Sequence, residues 1–242
     1  MPLNQNRYSL LIFKRYRYRI VPEYDQPEFR RLLERIAQDQ LEEKRSLKED
    51  SAASVWRTRY NSRDLVIKRY NTQGIWHAIR RSFRKSRAEN CRKMTDRFKD
   101  AGIYTAPNVA VIQEWAGPFK LRSWFICGYV EGNMLVAYFK KKGERNLTLA
   151  ELTRLKSAVA DLFEKLRFHH LSHGDLKASN ILLSQGTLCL IDLDAACAHK
   201  NKVLFKRAHK KDRLRFMKNW QQRPDIRLVF EQLVNQPLPG DS

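Results

Sequence analysis

Long apolar runs are missing from this sequence of 242 residues. No stretch approaches the roughly 18 consecutive apolar residues that would span a bilayer. The short run Leu10–Phe13 is followed, not preceded, by its charges, which argues against a signal-peptide core. Cysteine is scarce too. Cys91, Cys127, Cys189 and Cys197 form no Cys-x-x-Cys pair and no tight cluster with histidine. That argues against a zinc site and a disulfide framework, and it suits a reducing compartment. His169, His170 and His173 lie close together without a second group of ligands, so no structural metal is expected. Acidic residues are outnumbered: 26 Asp and Glu face 47 Lys and Arg, a formal charge of +21 and a pI near 10.1. Such an excess sets up a positive potential that draws polyanions, whether nucleic acid, anionic membrane or a phosphorylated substrate. Internal repeats and low-complexity linkers are absent as well. The expected location is cytoplasmic, with the chain resting on a membrane surface.

What is present is ordinary globular material, 43% hydrophobic and 11% aromatic, enough for one compact domain or a pair of small lobes. Residues 8–20 alternate aromatic or apolar with basic groups and read as a strand with one basic face. Asp25 and Pro27 open a helix carrying Phe29, Leu32, Leu33 and Ile36 on one stripe, with a highly charged end from Glu42 to Asp50. Strands follow at Val55–Tyr60 and Leu65–Tyr70, split by the turn formers Asn61-Ser62-Arg63-Asp64. A long basic helix is expected over residues 75–100, stopping at Gly102. Val109–Gln113 and Trp124–Val130 read as strands, with Gly117-Pro118 marking a turn between them. Thr148-x-x-Glu151 is a capping box ahead of a helix with Leu152, Leu155, Val159, Leu162, Phe163 and Leu166 on one face. A polar loop at 172–180 leads into a hairpin, Ile181–Leu183 and Leu188–Ile191, turning at Ser184-Gln185-Gly186. Residues from about 200 to 234 are helical and strongly basic.

The chemistry concentrates in His173-Gly174-Asp175-Leu176-Lys177-Ala178-Ser179-Asn180 and in Asp192. Phosphoryl transfer needs a carboxylate to orient an attacking hydroxyl and accept its proton. It also needs oxygen ligands for magnesium, which prefers carboxylate and amide oxygens to nitrogen or sulfur. Asp175, Asn180 and Asp192 supply that set, and the hairpin folds Asp192 back beside the loop. Single Asp and Asn residues in loops are usually turn formers or caps; the combination of identity, spacing and helix–loop–hairpin context is much rarer.

These residues resemble the protein-kinase superfamily, whose catalytic loop reads His-x-Asp-x-x-x-x-Asn and is followed by a metal-binding Asp. The resemblance implies ATP and Mg2+ as cofactors, Asp175 and Lys177 as catalytic residues, and Asn180 and Asp192 as metal ligands. It implies an α+β, protein-kinase-like bilobal fold. Residues 1–130 form a small antiparallel-sheet N-lobe, and residues 131–242 a reduced, mainly helical C-lobe. It further implies a strand lysine for the ATP phosphates and a helix glutamate to hold it. Leu65-Val66-Ile67-Lys68 matches the family's Val-Ala-Ile-Lys, and Glu89 is the only acid in the basic stretch 75–95. Tyr129 and Val130, in Tyr129-Val130-Glu131-Gly132, fall where such kinases contact adenine. His173 reads as a brace for the loop.

Three features depart from the pattern. No Gly-x-Gly-x-x-Gly precedes Val55, so phosphate cradling falls to the backbone of Ser51, Ala52, Ala53 and Ser54, whose small side chains allow close approach. Gly174 replaces the arginine that usually follows the histidine. Asp192-Leu193-Asp194 replaces Asp-Phe-Gly, and no Ala-Pro-Glu follows. Without that arginine and a long activation segment, control by activation-loop phosphorylation has no physical basis, and the expected target is not protein.

Within the superfamily, His-Gly-Asp-Leu-Lys-x-Ser-Asn-Ile-Leu-Leu with Leu-Ile-Asp-Leu-Asp is similar to the bacterial lipopolysaccharide kinases, which phosphorylate heptose or Kdo of the inner core. Arg87-Ala-Glu89, followed by Ala101-Gly102-Ile103-x-Thr105-Ala-Pro107, adds to the likeness, which covers roughly residues 50–220. It implies a lipid A–core acceptor and a peripheral position on the cytosolic face of the inner membrane. Lys200, Lys202, Lys206, Arg207, Lys210, Lys211, Arg213, Arg215 and Lys218, offset only by Asp212, fit such an anionic surface; Arg80, Arg81, Arg84, Lys85 and Arg87 add to the same field. Two other readings stand beside this one. Small atypical protein kinases of the RIO type also carry His-Gly-Asp-Leu. A non-catalytic nucleic-acid binder accounts for the charge and the Tyr/Arg-rich N-terminus. The complete Lys–Glu–Asp–Asn–Asp set argues against the latter, so no nucleic-acid partner is expected, and no protein partner is legible.

Overall fold

The computed structural model describes residues 7–42, 44–49, 53–71, 86–142 and 148–234. The chain divides into two compact units, Met1–Asp96 with Ala106–Val130 and Arg97–Thr105 with Glu131–Ser242. Among the described residues no helix is long and apolar enough to cross a membrane.

Among the described residues, the first unit is built on a seven-stranded antiparallel sheet. Its strands are β1 (Ser9–Phe13), β2 (Tyr16–Ile20), β3 (Arg45–Glu49), β4 (Ala53–Tyr60), β5 (Arg63–Tyr70), β6 (Asn108–Ala116) and β7 (Phe119–Gly128), in the order β1-β2-β6-β7-β5-β4-β3. Residues 8–20 are therefore a hairpin rather than the single strand their pattern suggested, because the chain reverses at Lys14, whose φ is 51°. The basic-faced alternation belongs to β2, which buries Tyr16, Tyr18 and Ile20 and exposes Arg17 and Arg19. Between β4 and β5 the turn tightens to Asn61 and Ser62, both at positive φ, so both strands run longer than expected.

Helix α1 (Pro27–Ala37) starts on Pro27, a residue whose fixed φ suits the first helical turn. It lays Phe29, Leu33 and Ile36 on one sheet face against Tyr18, Ile20, Leu65, Ile67, Trp124 and Ile126. The helix ends well before the charged segment 42–50. Asp39 turns left-handed at φ 59° and its carboxylate takes Arg69 and Arg122, each at 2.6 Å. Arg45–Glu49 is consequently the edge strand β3, not the end of a helix. On the opposite sheet face lies the beginning of α2 (Arg87–Asp100), with Ala88 and Cys91 packed among Ala53, Tyr70, Val111 and Phe125. The earlier part of the expected helix, from residue 75, lies outside the described residues; its end at Gly102, φ 68°, is as the sequence suggests.

The second unit is mainly helical: α3 (Leu135–Lys142), α4 (Leu149–Phe168), α5 (Lys202–Lys218) and α6 (Pro224–Val234). Thr148 caps α4 reciprocally, with Glu151 N–H donating to Thr148 Oγ1 at 3.2 Å and Thr148 N–H to Glu151 Oε2 at 3.0 Å. Short strands β8 (Asn133–Met134), β10 (Ile181–Ser184) and β11 (Thr187–Leu190) form one small sheet, and β9 (Leu171–Ser172) pairs with β12 (Cys197–Ala198). Phe139, Phe216, Trp220 and Phe230 stack edge-on or tilted to close the core around α5 and α6.

His209 of α5 is buried between Phe163 and Phe205. Burial, helped by the charges of Arg213 and Arg167, lowers its pKa from 6.5 to about 4. Below pH 6.5 the unfolded chain binds a proton that the folded state refuses, so stability falls as the pH drops from 6.5 toward about 4. In His209→Leu this part of the acid slope should disappear. Melting temperatures of both proteins across that range measure it; parallel curves contradict the assignment.

Candidate active site

In the second unit, α4 delivers the chain through β9 to the loop His173–Asn180, which returns as β10. The loop backbone is fixed from beneath by Asp212, a fully buried carboxylate on α5. Its Oδ2 accepts the N–H of His173 at 2.7 Å and of Gly174 at 3.2 Å. Burial pushes the Asp212 carboxyl up, against the opposing pull of these N–H groups. His173 is satisfied on both ring nitrogens: Nε2–H donates to the Ile191 carbonyl at 2.9 Å, and Nδ1 accepts the Asp175 N–H at 3.3 Å. With Nδ1 accepting an N–H the ring ties loop to hairpin, and burial lowers its pKa. Gly174 adopts φ 81°, and a Cβ there would collide with the Ala195 carbonyl. The arginine found in protein kinases has no room at this position.

This scaffold holds Asp175 half-buried, its side chain 31% exposed. Its Oδ2 meets Lys177 Nζ at 2.9 Å and its Oδ1 lies 3.6 Å from Arg215 Nη1. Arg215 also donates to the Gly174 carbonyl. Asn180 Nδ2 donates to the Asp175 carbonyl at 2.9 Å and to its Oδ2 at 3.3 Å. The β10–β11 register sets Ile181 opposite Leu190, and Ile191 N–H donates to the Asn180 carbonyl at 3.0 Å. Asp192 is thereby held beside Asn180, in a left-handed conformation (φ 66°) that Asp tolerates better than most residues. The structure thus brings Asp175, Lys177, Asn180 and Asp192 together in one unit. Among the described residues no three His, Cys, Asp or Glu side chains gather as a metal site. Magnesium asks for less, commonly one or two carboxylates with the remaining positions taken by substrate phosphate and water. Asn180 and Asp192 carry oxygen donors of the kinds it takes, an amide and a carboxylate.

In the first unit Lys68 extends from β5 on the same face as Tyr70, with Nζ 5.2 Å from the Tyr70 ring centre. Glu89, in the first turn of α2, is not ion-paired with Lys68. Arg92 takes it at 2.9 Å, with Arg19 at 3.5 Å and Lys93 at 3.8 Å. Arg92 is in turn held by Asp96, itself bonded by Tyr8 and Asn108. Of the expected phosphate cradle, Ser51 and Ala52 lie outside the described residues. Ala53 opens β4 on the Tyr70 face, and the neighbouring Ser54 alternates to the other. Tyr129 spends its N–H on the Asp64 carbonyl at 2.9 Å and its ring on Arg57, 3.9 Å away; the next residue, Val130, ends this unit.

Sequence reasoning missed the roles of Asp212, Arg215 and Arg92. The one legible signal was Asp212, the single acid among the basic residues of α5.

The model of the lipopolysaccharide kinase (Kdo/WaaP) family matches residues 12–232. No curated protein matches the sequence. A solved structure described as WaaP in complex with acyl carrier protein superposes with a TM-score of 0.59 at 19% identity, over 88% of this chain and 89% of that one. That likeness is one of fold, a kinase-like α+β architecture.

Gly174→Ala should destabilise the protein by about 1–3 kcal/mol. Gly186→Ala, at a similar φ of 82° but with open space around its Cβ, should cost less. Denaturant midpoints of the two variants check the order; equal losses contradict the role given to the Ala195 carbonyl.

Proposed function

Because the chain belongs to the lipopolysaccharide kinase (Kdo/WaaP) family, we propose that it transfers the γ-phosphoryl group of ATP to a sugar hydroxyl, heptose or Kdo, of the lipopolysaccharide inner core on lipid A. Family membership carries phosphotransferase activity and the use of ATP; the acceptor and the residue roles are our reading. The observation that supports it best is the Asp175 carboxylate, half-buried on a rigidly anchored loop with Asn180 and Asp192 beside it.

In this reading Asp175 orients the acceptor hydroxyl and takes its proton as the oxygen attacks phosphorus and the bond to ADP breaks. Lys177, already at the Asp175 carboxylate, meets the charge on the transferring group. Asn180 and Asp192 hold magnesium, which when bound neutralises phosphate charge. Lys68 receives the α- and β-phosphates, with the small residues Ala53 and Ser54 at the start of β4 allowing them close approach. For Glu89 to brace Lys68 it must exchange its pair with Arg92 for one with Lys68. Adenine contacts fall to the backbone around Val130, because the Tyr129 N–H is already used. Residues 1–130 serve the nucleotide and residues 131–242 the acceptor.

The proposal places the chain peripherally on the cytosolic face of the inner membrane, against an anionic surface that suits its charge of +21. The solved neighbour is in complex with acyl carrier protein, and a protein partner of that kind is part of the proposal. Gly174, which has no room for a side chain, excludes the arginine of typical protein kinases; the RIO type shares this glycine, and the identity of the labelled acceptor separates the two.

Asp175→Ala should reduce phosphate transfer by several orders of magnitude and leave ATP affinity within a few-fold. Label passing from ATP to lipid A–core or to mixed protein reads the first point, and equilibrium binding of labelled ATP to the variant reads the second. Undiminished turnover in the variant, or label entering protein instead of lipopolysaccharide, overturns the proposal.

A further inference from the structure

Helix α5 buries Phe205, His209, Asp212 and Phe216 and turns a second, different stripe outward. Leu204, Arg207, Lys211, Arg215 and Lys218 follow one another at steps of three and four residues, and Leu214 stands three after Lys211 and four before Lys218, so all six share one helix face. All six are exposed, the leucines at 56% and 60%. The stripe carries four cations and no acid, since Asp212, the only acid of the helix, points inward. At its edge Arg215 donates to the Gly174 carbonyl and lies 3.6 Å from Asp175 Oδ1. Whatever lies on this stripe therefore lies next to the carboxylate assigned to the acceptor hydroxyl.

A solvated basic face needs no exposed leucines, and a nucleic-acid backbone has no apolar layer to receive them. A partner that offers negative charge at its surface and hydrocarbon a few ångströms below satisfies both at once. We propose that the outward stripe of α5 docks on the anionic headgroup layer of a bilayer. The basic side chains engage lipid phosphates, Leu204 and Leu214 enter the boundary beneath them, and a membrane-anchored acceptor is presented to Asp175. This deepens the reading of the preceding subsection and rests on it for the role of Asp175.

The test uses the full chain and sedimentation with vesicles of phosphatidylcholine alone or mixed with phosphatidylglycerol. Wild-type protein should bind the mixed vesicles, and binding should weaken steeply with salt. Leu204→Asp/Leu214→Asp and Arg207→Glu/Lys211→Glu should each lose at least about tenfold in vesicle affinity. Both should transfer phosphate to delipidated core oligosaccharide at the wild-type rate and lose transfer to acceptor embedded in vesicles. Variants that bind mixed vesicles like wild type overturn the docking surface. So does a wild-type chain that ignores vesicles but loses binding to acyl carrier protein in the same variants, which identifies a protein dock. Loss of vesicle binding in the variants, with no transfer by wild type to any core acceptor, supports the docking surface and removes the kinase reading.

Discussion

The second unit depends on one buried carboxylate. Asp212 Oδ2 accepts two successive backbone N–H groups at the start of the loop, so the loop cannot shift without stripping a buried carboxyl oxygen of its donors. That anchor fixes Gly174 in the left-handed region, fixes the His173 ring between loop and hairpin, and leaves the Asp175 carboxylate partly exposed. It also sets the rotation of α5. With Asp212 inward, Arg215 and Lys211 are turned out, so the element that anchors the loop is the element that carries the basic stripe.

Much of this was legible in the sequence, and the legible parts were those written in local spacing. The Thr148/Glu151 capping box, the β10–β11 hairpin, and the Asp175–Asn180–Asp192 triplet all involve residues close in the chain, where the pattern fixes the geometry. Features decided at long range were hidden. Asp212 lies 39 positions from His173, and in a run of lysines an acid reads as charge balance. The hairpin over residues 8–20 turns at Lys14 without a glycine, so nothing broke the apparent strand. The expected end of α1 was displaced because Asp39 finds its partners on β5 and β7, far along the chain.

Lys68 and Glu89 show how a motif can place two residues correctly on their elements and leave their contact open. Glu89 has a nearer cation one turn along its own helix, Arg92, which Asp96 holds from the other side. Pairing at three- and four-residue spacing satisfies Glu89 within its own helix. The large positive charge divides in the same manner. Arg57, Arg69, Arg92 and Arg122 are consumed in internal ion pairs, whereas the cations of α5 mostly face solvent. Net charge alone could not separate structural arginines from those available to a partner.

The account stands or falls on a sugar phosphate. Core oligosaccharide released from cells lacking this chain, compared by mass spectrometry with that of the parent cells, tests it most directly. The account predicts the loss of one phosphate group from an inner-core sugar, restored by the wild-type gene and not by one encoding Asp175→Ala. Core oligosaccharide of unchanged mass and phosphate content would contradict it.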